Sequence, residues 1–196
     1  NMDIKKITNT AFNFIIKRLI EILGLLISFL ALLLIVALIS YSPEDPNFIF
    51  SEGTKINNLL GYRGSFTADI FFQSIGLISY LVAITLMITG INIFIRKEIL
   101  LFLDSLFFIT LYSLLGSLFL NHFYNDSLAL HINGNGGFVG NFINNTFVNN
   151  LINSQENISY YFLVLTILIL FFKSFNLQFK SIYSFFNKII NRQKLK

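Results

Sequence analysis

The chain has no cysteine and no tryptophan, only two prolines and two histidines, and only 12% charged residues. Without cysteine there is no disulfide framework, no thiol nucleophile and no cysteine metal site. A metal centre wants three or four ligands in fixed geometry. His122, Asp126 and His131 share one polar loop and read as solvated residues, so neither a metal nor a cofactor is expected. No Gly-x-x-x-x-Gly-Lys-(Ser/Thr) run occurs, which excludes phosphate-loop ATP hydrolysis by these residues. The shortage of charge restricts most. It leaves 55% apolar residues and a mean hydropathy of +0.70 over 196 residues. A soluble core of this size cannot hide so much apolar surface, so lipid is the expected solvent. Abundant Ile, Phe, Asn, Lys and Tyr is what AT-rich codons supply, and the many Asn residues carry no functional signal by themselves.

What is present is four long apolar runs. The first, residues 22–40, is apolar on every face and long enough to cross about 30 Å of hydrocarbon. It is too long for the apolar region of a signal peptide, and no small-x-small cleavage motif follows. The second run covers 70–95 and ends in Arg96-Lys97-Glu98. The third covers 99–120, and the short turn between them predicts an antiparallel hairpin. The fourth, 158–172, is the shortest and fits with tilt or an earlier start. The expected fold is all-α: four transmembrane helices, an amphipathic helix in the second outer loop and an amphipathic tail. The expected division is an N-terminal segment 1–21, a four-helix domain 22–172 and a basic tail 173–196.

Charge orients the runs. The N-terminal segment, the middle turn and the tail carry twelve Lys and Arg residues; the other side carries only Lys55 and Arg63. The positive-inside rule therefore predicts that both termini are cytoplasmic. The basic residues then lie beside anionic lipid headgroups, which accounts for the net charge of +4 without nucleic acid.

The first outer loop, about 41–69, opens with Tyr-Ser-Pro-Glu-Asp-Pro-Asn-Phe. Pro43 and Pro46 disfavour helical geometry at the residues before them, the acids resist hydrocarbon, and Tyr41 suits the interface belt. The second loop, about 121–157, has no Lys or Arg. In it Phe138, Phe142, Ile143, Phe147, Leu151 and Ile152 recur at three- and four-residue steps, which predicts a short helix on the outer membrane face. In the tail, Phe175, Phe179, Ile182, Phe186 and Ile189-Ile190 fall near one face of an interfacial helix.

Tyr41, Ser42, Pro43, Asp45, Pro46 and Phe48 are followed by Asn58, Gly61, Gly64, Ala68, Asp69, Phe72, Gly76, Tyr80 and Leu81. This order and spacing resembles the N-terminal membrane domain of the FtsK/SpoIIIE family of bacterial DNA translocases. Gly136-Gly137-Phe138-Val139-Gly140 is similar to that family's glycine motif before the fourth span, and Ser65 replaces a usual Ala. The resemblance implies an inner-membrane anchor at the division septum that binds lipid and other division proteins. It also implies a homo-oligomer, a hexamer in that family, that reaches DNA only through a motor domain.

Among single residues, Asp104 lies one to two turns inside the third span. A carboxylate there is costly and a functional candidate by default. The bland expectation is snorkelling or a pair with Arg96 or Lys97, and the lack of ionisable residues at the midplane weighs against an ion relay. Asp69 reads as an acid at a helix N-terminus, stabilised by the macrodipole, within reach of Arg63. The glycines at 136, 137 and 140 read as a turn or close-packing device, not a nucleotide loop. Two other classes stay open. A small transporter or channel subunit would depend on Asp104, and a membrane enzyme would depend on His122 or His131.

Overall fold

A computed structural model describes residues 4–46, 55–125, 133–177 and 183–184. Among them every regular element is helical. Helix α1 runs Ile4–Ile39, α2 Gly61–Ile75, α3 Ser79–Arg96 and α4 Leu100–Tyr124. Helix α5 runs Gly137–Asn144, α6 Phe147–Ser154 and α7 Glu156–Ser174. A single 3-10 turn, Gly76–Ile78, separates α2 from α3. Among the described residues four stretches are long and apolar enough to cross a membrane: Thr10–Ile39, Gly61–Arg96, Leu100–Tyr124 and Glu156–Ser174.

The first run extends further than its apolar pattern. Helix α1 does not begin near residue 22, because the preceding segment contains no proline or glycine to stop it. Its 36 residues reach about 54 Å, well beyond a bilayer core of about 30 Å. It packs along α3. Gly24 faces Gly90 and Phe94, whereas Leu38 meets Tyr80, so the two helices run antiparallel. A side chain on Gly90 would stand 2.5 Å from the Ser28 nitrogen and 2.6 Å from the Gly24 carbonyl. Small residues thus let two backbones approach closely where lipid offers no hydrophobic drive for association.

The second run is not one helix. Gly76 has φ 66° and ψ −146°, which ends α2 and redirects the chain. The spanning piece is α3, 18 residues or about 27 Å long. Helix α2 packs instead against the end of α1 and against α5. Apolar content reads straight through this break, because a run of Ile, Phe and Leu has the same pattern on both sides of a glycine. After Arg96, Lys97 takes a left-handed conformation with φ 61°, and α4 returns antiparallel. Helix α7 packs on α4.

Two apolar clusters hold the bundle. One joins Ile78, Val82, Tyr112, Leu118, Ile152 and Leu163 across α3, α4, α6 and α7. The other joins Leu34, Ala37, Leu38, Ala68, Phe72 and Ala83 across α1, α2 and α3. Elsewhere α1, α4 and α7 turn Leu, Ile and Phe outward, as a multi-pass membrane protein does when lipid is its solvent. The second loop holds two helices, α5 and α6, where the pattern predicts one. Thr146 caps α6 by accepting the Val148 N–H at 3.3 Å, and that cap breaks the run. The tail residues Phe179, Ile182, Phe186, Ile189 and Ile190 lie outside the described residues. The described start of the tail, Ser174 and Phe175, is buried in the bundle.

Candidate functional site

Polar and glycine residues gather at three places, two at the loop end of the bundle and one at the basic end that carries Arg96 and Lys97. The first forms where α1 stops. A helix terminus leaves carbonyls without partners, and here three of the last carbonyls take side-chain donors. The Val36 carbonyl accepts the Ser40 hydroxyl at 2.7 Å, Ala37 accepts Asn58 Nδ2 at 2.9 Å, and Leu38 accepts the Tyr80 hydroxyl at 3.1 Å. The two prolines turn the chain, and Asp45 folds back under it. Its carboxylate is 1% exposed and accepts the backbone N–H groups of Asn57 and Asn58, both at 2.8 Å. Asp45 is therefore a buried clamp on the loop, not a surface acid that keeps the chain out of lipid. Ser65 donates to the Pro46 carbonyl at 3.1 Å. Phe48 lies outside the described residues, and Pro43 is placed in the turn itself.

Asp69 is not at a helix N-terminus. Helix α2 starts at Gly61, which takes φ 65°, so Asp69 falls in its third turn, 1% exposed. It accepts the Tyr41 hydroxyl at 3.1 Å and Gln73 Nε2 at 3.3 Å, while Arg63 is exposed and makes no ion pair with it. Burial and the Asp69 carboxylate push the Tyr41 phenol well above its ordinary value of 10. Tyr41 thus ties the end of α1 to α2 through Asp69, with its ring edge-on to Phe72 at 4.9 Å. Gly64 lies against the Asn58 side chain, and a Cβ there would stand 2.5 Å from the Leu60 Cβ.

The second place is a glycine crossing. The Leu77 N–H donates to the Asn135 carbonyl at 3.0 Å, just after the break at Gly76. A side chain on Gly76 would strike that same carbonyl, and one on Gly137 would stand 2.6 Å from the Gly76 nitrogen. Gly136 and Gly140 both abut the Ser117 carbonyl of α4, and the Ser117 hydroxyl donates to Ile75 at 2.9 Å. Asn135 is fully buried and donates to the Tyr124 carbonyl. Asn133 donates to Gln73 Oε1 at 3.0 Å, and Gln73 in turn donates to Asp69. The two loop-end sites are therefore one continuous network. His122 pairs with Asn144 at 3.0 Å. Asp126 and His131 lie outside the described residues, among which no cluster of potential metal ligands occurs.

At the basic end the structure shows something the apolar pattern hides. Thr85 bonds both the Tyr112 hydroxyl at 3.0 Å and the Ser174 hydroxyl at 3.1 Å. Thr89 donates to Ser105 at 2.8 Å, and Ser105 donates to the Ser174 carbonyl at 2.9 Å. Asn92 donates to the Phe175 carbonyl at 2.6 Å and Arg96 to the Asn176 carbonyl at 3.2 Å. Polar side chains of α3 and α4 thus latch the end of α7. The signal for it was the spacing of Thr85, Thr89 and Asn92, which puts three polar groups on one helical face. Asp104 takes no part. It is exposed and has no ion pair among the described residues, because Arg96 pairs with Glu98 at 2.7 Å and Lys97 with Glu21 at 2.6 Å.

A family model described as the 4TM region of DNA translocase FtsK/SpoIIIE matches residues 16–183, which take in helices α1 to α7 in whole or in part. The chain belongs to this family. Among similar proteins, the DNA translocase FtsK of Azospirillum brasilense is 34% identical over 88 residues, 44% of this chain and 14% of that protein. The DNA translocase FtsK of Rhizobium meliloti (strain 1021) is 34% identical over 67 residues, 34% of this chain and 8% of that protein. The chain therefore aligns with only a small part of those relatives' length. No solved structure matches it. In this chain the described motif residues Asp45, Asp69, Gly76, Gly136 and Gly140 lie where α1, α2, α4 and α5 meet at one end of the bundle.

Proposed function

We propose that this chain is the membrane anchor and oligomerisation region of a DNA translocase that acts at the division septum in chromosome segregation. The observation that carries the reading is the family match over residues 16–183, held on a bundle with four candidate spans. Both termini lie in the cytoplasm in this reading, because the twelve-to-two split of Lys and Arg favours it. The latch on Ser174, Phe175 and Asn176 supports a role as a fixed take-off point for whatever follows on the cytoplasmic side. Hydrogen-bonding side chains from two spans hold the last turn of the fourth. A motor pulling on DNA would then load the whole bundle instead of one helix. The partners are lipid, other copies of the chain and other division proteins, with DNA reached only through a motor domain.

The test is a fluorescent fusion of the chain in dividing cells. Enrichment at midcell supports the reading. A uniform membrane signal sinks the septal role while leaving the multi-pass architecture intact.

A further inference from the structure

Helices α5 and α6 do not span the membrane, yet they turn four large apolar side chains away from the protein. Phe138 is 60% exposed, Phe142 65%, Phe147 73% and Leu151 60%. The opposite faces are fixed. Gly136, Gly137 and Gly140 abut the α4 backbone and the chain break at Gly76, and Ile152 is buried against the core. Phe138 and Phe142 are therefore held outward by close backbone packing of α5, and Phe147 and Leu151 by the buried Ile152 of α6.

Their depth follows from what they pack on. Gly136 and Gly140 sit on the carbonyl of Ser117, seven positions before Tyr124, the last residue of α4. That is about 10 Å below the helix end. A side chain projecting sideways from α5 at that level meets the boundary between hydrocarbon and headgroups. Between that level and the helix end runs an aromatic girdle in which Phe119, Phe123, Tyr124 and Tyr160 pack ring to ring and the Tyr124 and Tyr160 hydroxyls bond at 2.7 Å. Aromatic belts of this kind mark the membrane interface. The polar residues Asn141, Asn145, Asn150 and Asn153 are exposed beside the apolar stripe. The loop contains no Lys or Arg, so it carries no cation to seek a headgroup.

We infer that Phe138, Phe142, Phe147 and Leu151 form a monotopic wedge inserted into the upper acyl region of the leaflet at the loop end. The occupant of this face is lipid. The wedge adds an in-plane anchor beside the four spans, on the side opposite the basic end. It rests on the membrane reading alone and not on the septal role.

The absence of tryptophan makes the test direct, since Phe142→Trp gives the full chain a single indole emitter. The variant is reconstituted in phosphatidylethanolamine–phosphatidylglycerol vesicles whose acyl chains are brominated either near the glycerol or near the methyl end. The expected result is loss of most emission with bromine near the glycerol, less loss with bromine near the methyl end, and little quenching by aqueous acrylamide. Leu151→Trp on α6 should behave alike, and serves if the first variant folds poorly. Phe107→Trp, outward on α4, is the control and should be quenched by bromine within the chains. If acrylamide quenches the Phe142→Trp variant while lipid quenches the control, the face is in water and the wedge is wrong. If neither quencher reaches the indole of the Phe142→Trp variant, another protein surface covers it and the wedge is again wrong. If the control also escapes the lipid quencher, the spanning assignment itself fails, and the wedge with it.

Discussion

Asp45 shows how one side chain can set a chain path. Its two oxygens each take one backbone N–H at 2.8 Å, and hydrogen bonds to a charged group are the stronger kind. Asp45→Ala should leave the buried Asn58 N–H without a partner and release the part-buried Asn57 N–H, destabilising the bundle by about 3 kcal/mol, read as a shift in the unfolding midpoint in detergent. Asp45→Asn keeps one acceptor oxygen and should lose roughly half of that. Tyr41 gives a pH prediction. Its pKa is raised in the fold, by burial first and then by Asp69. A raised pKa means the stability it contributes is complete below the ordinary value of 10 and fades as pH climbs above it. Tyr41→Phe should cost about 1 kcal/mol near neutral pH, from the lost bond to Asp69. The variant should then unfold less steeply in alkali than the parent, as pH-dependent melts would show. Both side chains could be picked from the sequence by their motif. Their partners could not, because the Asn57 N–H and Asp69 come from a loop and a helix that meet α1 only in three dimensions.

The same division holds for elements. Length and hydropathy place four spans, since a bilayer demands about 20 apolar residues per crossing. They miss the break inside the second run, because what breaks it is a backbone angle and not a change of polarity. Gly76→Ala should therefore be among the most disruptive small changes. It puts a Cβ at φ 66° and against the Asn135 carbonyl, and strain of this kind costs about 1–3 kcal/mol before the clash is added. The variant should express poorly or melt early, while Gly61→Ala, also at positive φ but with open space around it, should cost only the backbone strain. The latch behaves differently. Interhelical hydrogen bonds in a membrane average about 0.6 kcal/mol, so Ser105→Ala alone should be mild. A triple replacement of Thr89, Asn92 and Ser105 by Val, Leu and Ala should free the end of α7. In this cysteine-free chain, spin labels on cysteines placed at Ile99 and Leu177 would report it as a broadened distance distribution, with the α1–α3 crossing unchanged.

At the scale of the molecule, topology is the property most open to test. Cysteines introduced at Asn145 and Leu177 should label from opposite sides of the membrane, Leu177 from the cytoplasm; labelling from one side only would break the four-span arrangement. What the sequence determined by itself was the solvent, the number of crossings and the family, because each rests on composition or on residue order along the chain. What only the tertiary structure decided was contact. Gly76 against Asn135, Gly140 against Ser117 and Asn92 against Phe175 join residues far apart in the chain. Lipid does not drive helices together as water would, so close backbone approach and polar bonds between helices choose the packing. Those depend on which faces meet, and a linear pattern of apolar residues leaves that choice open.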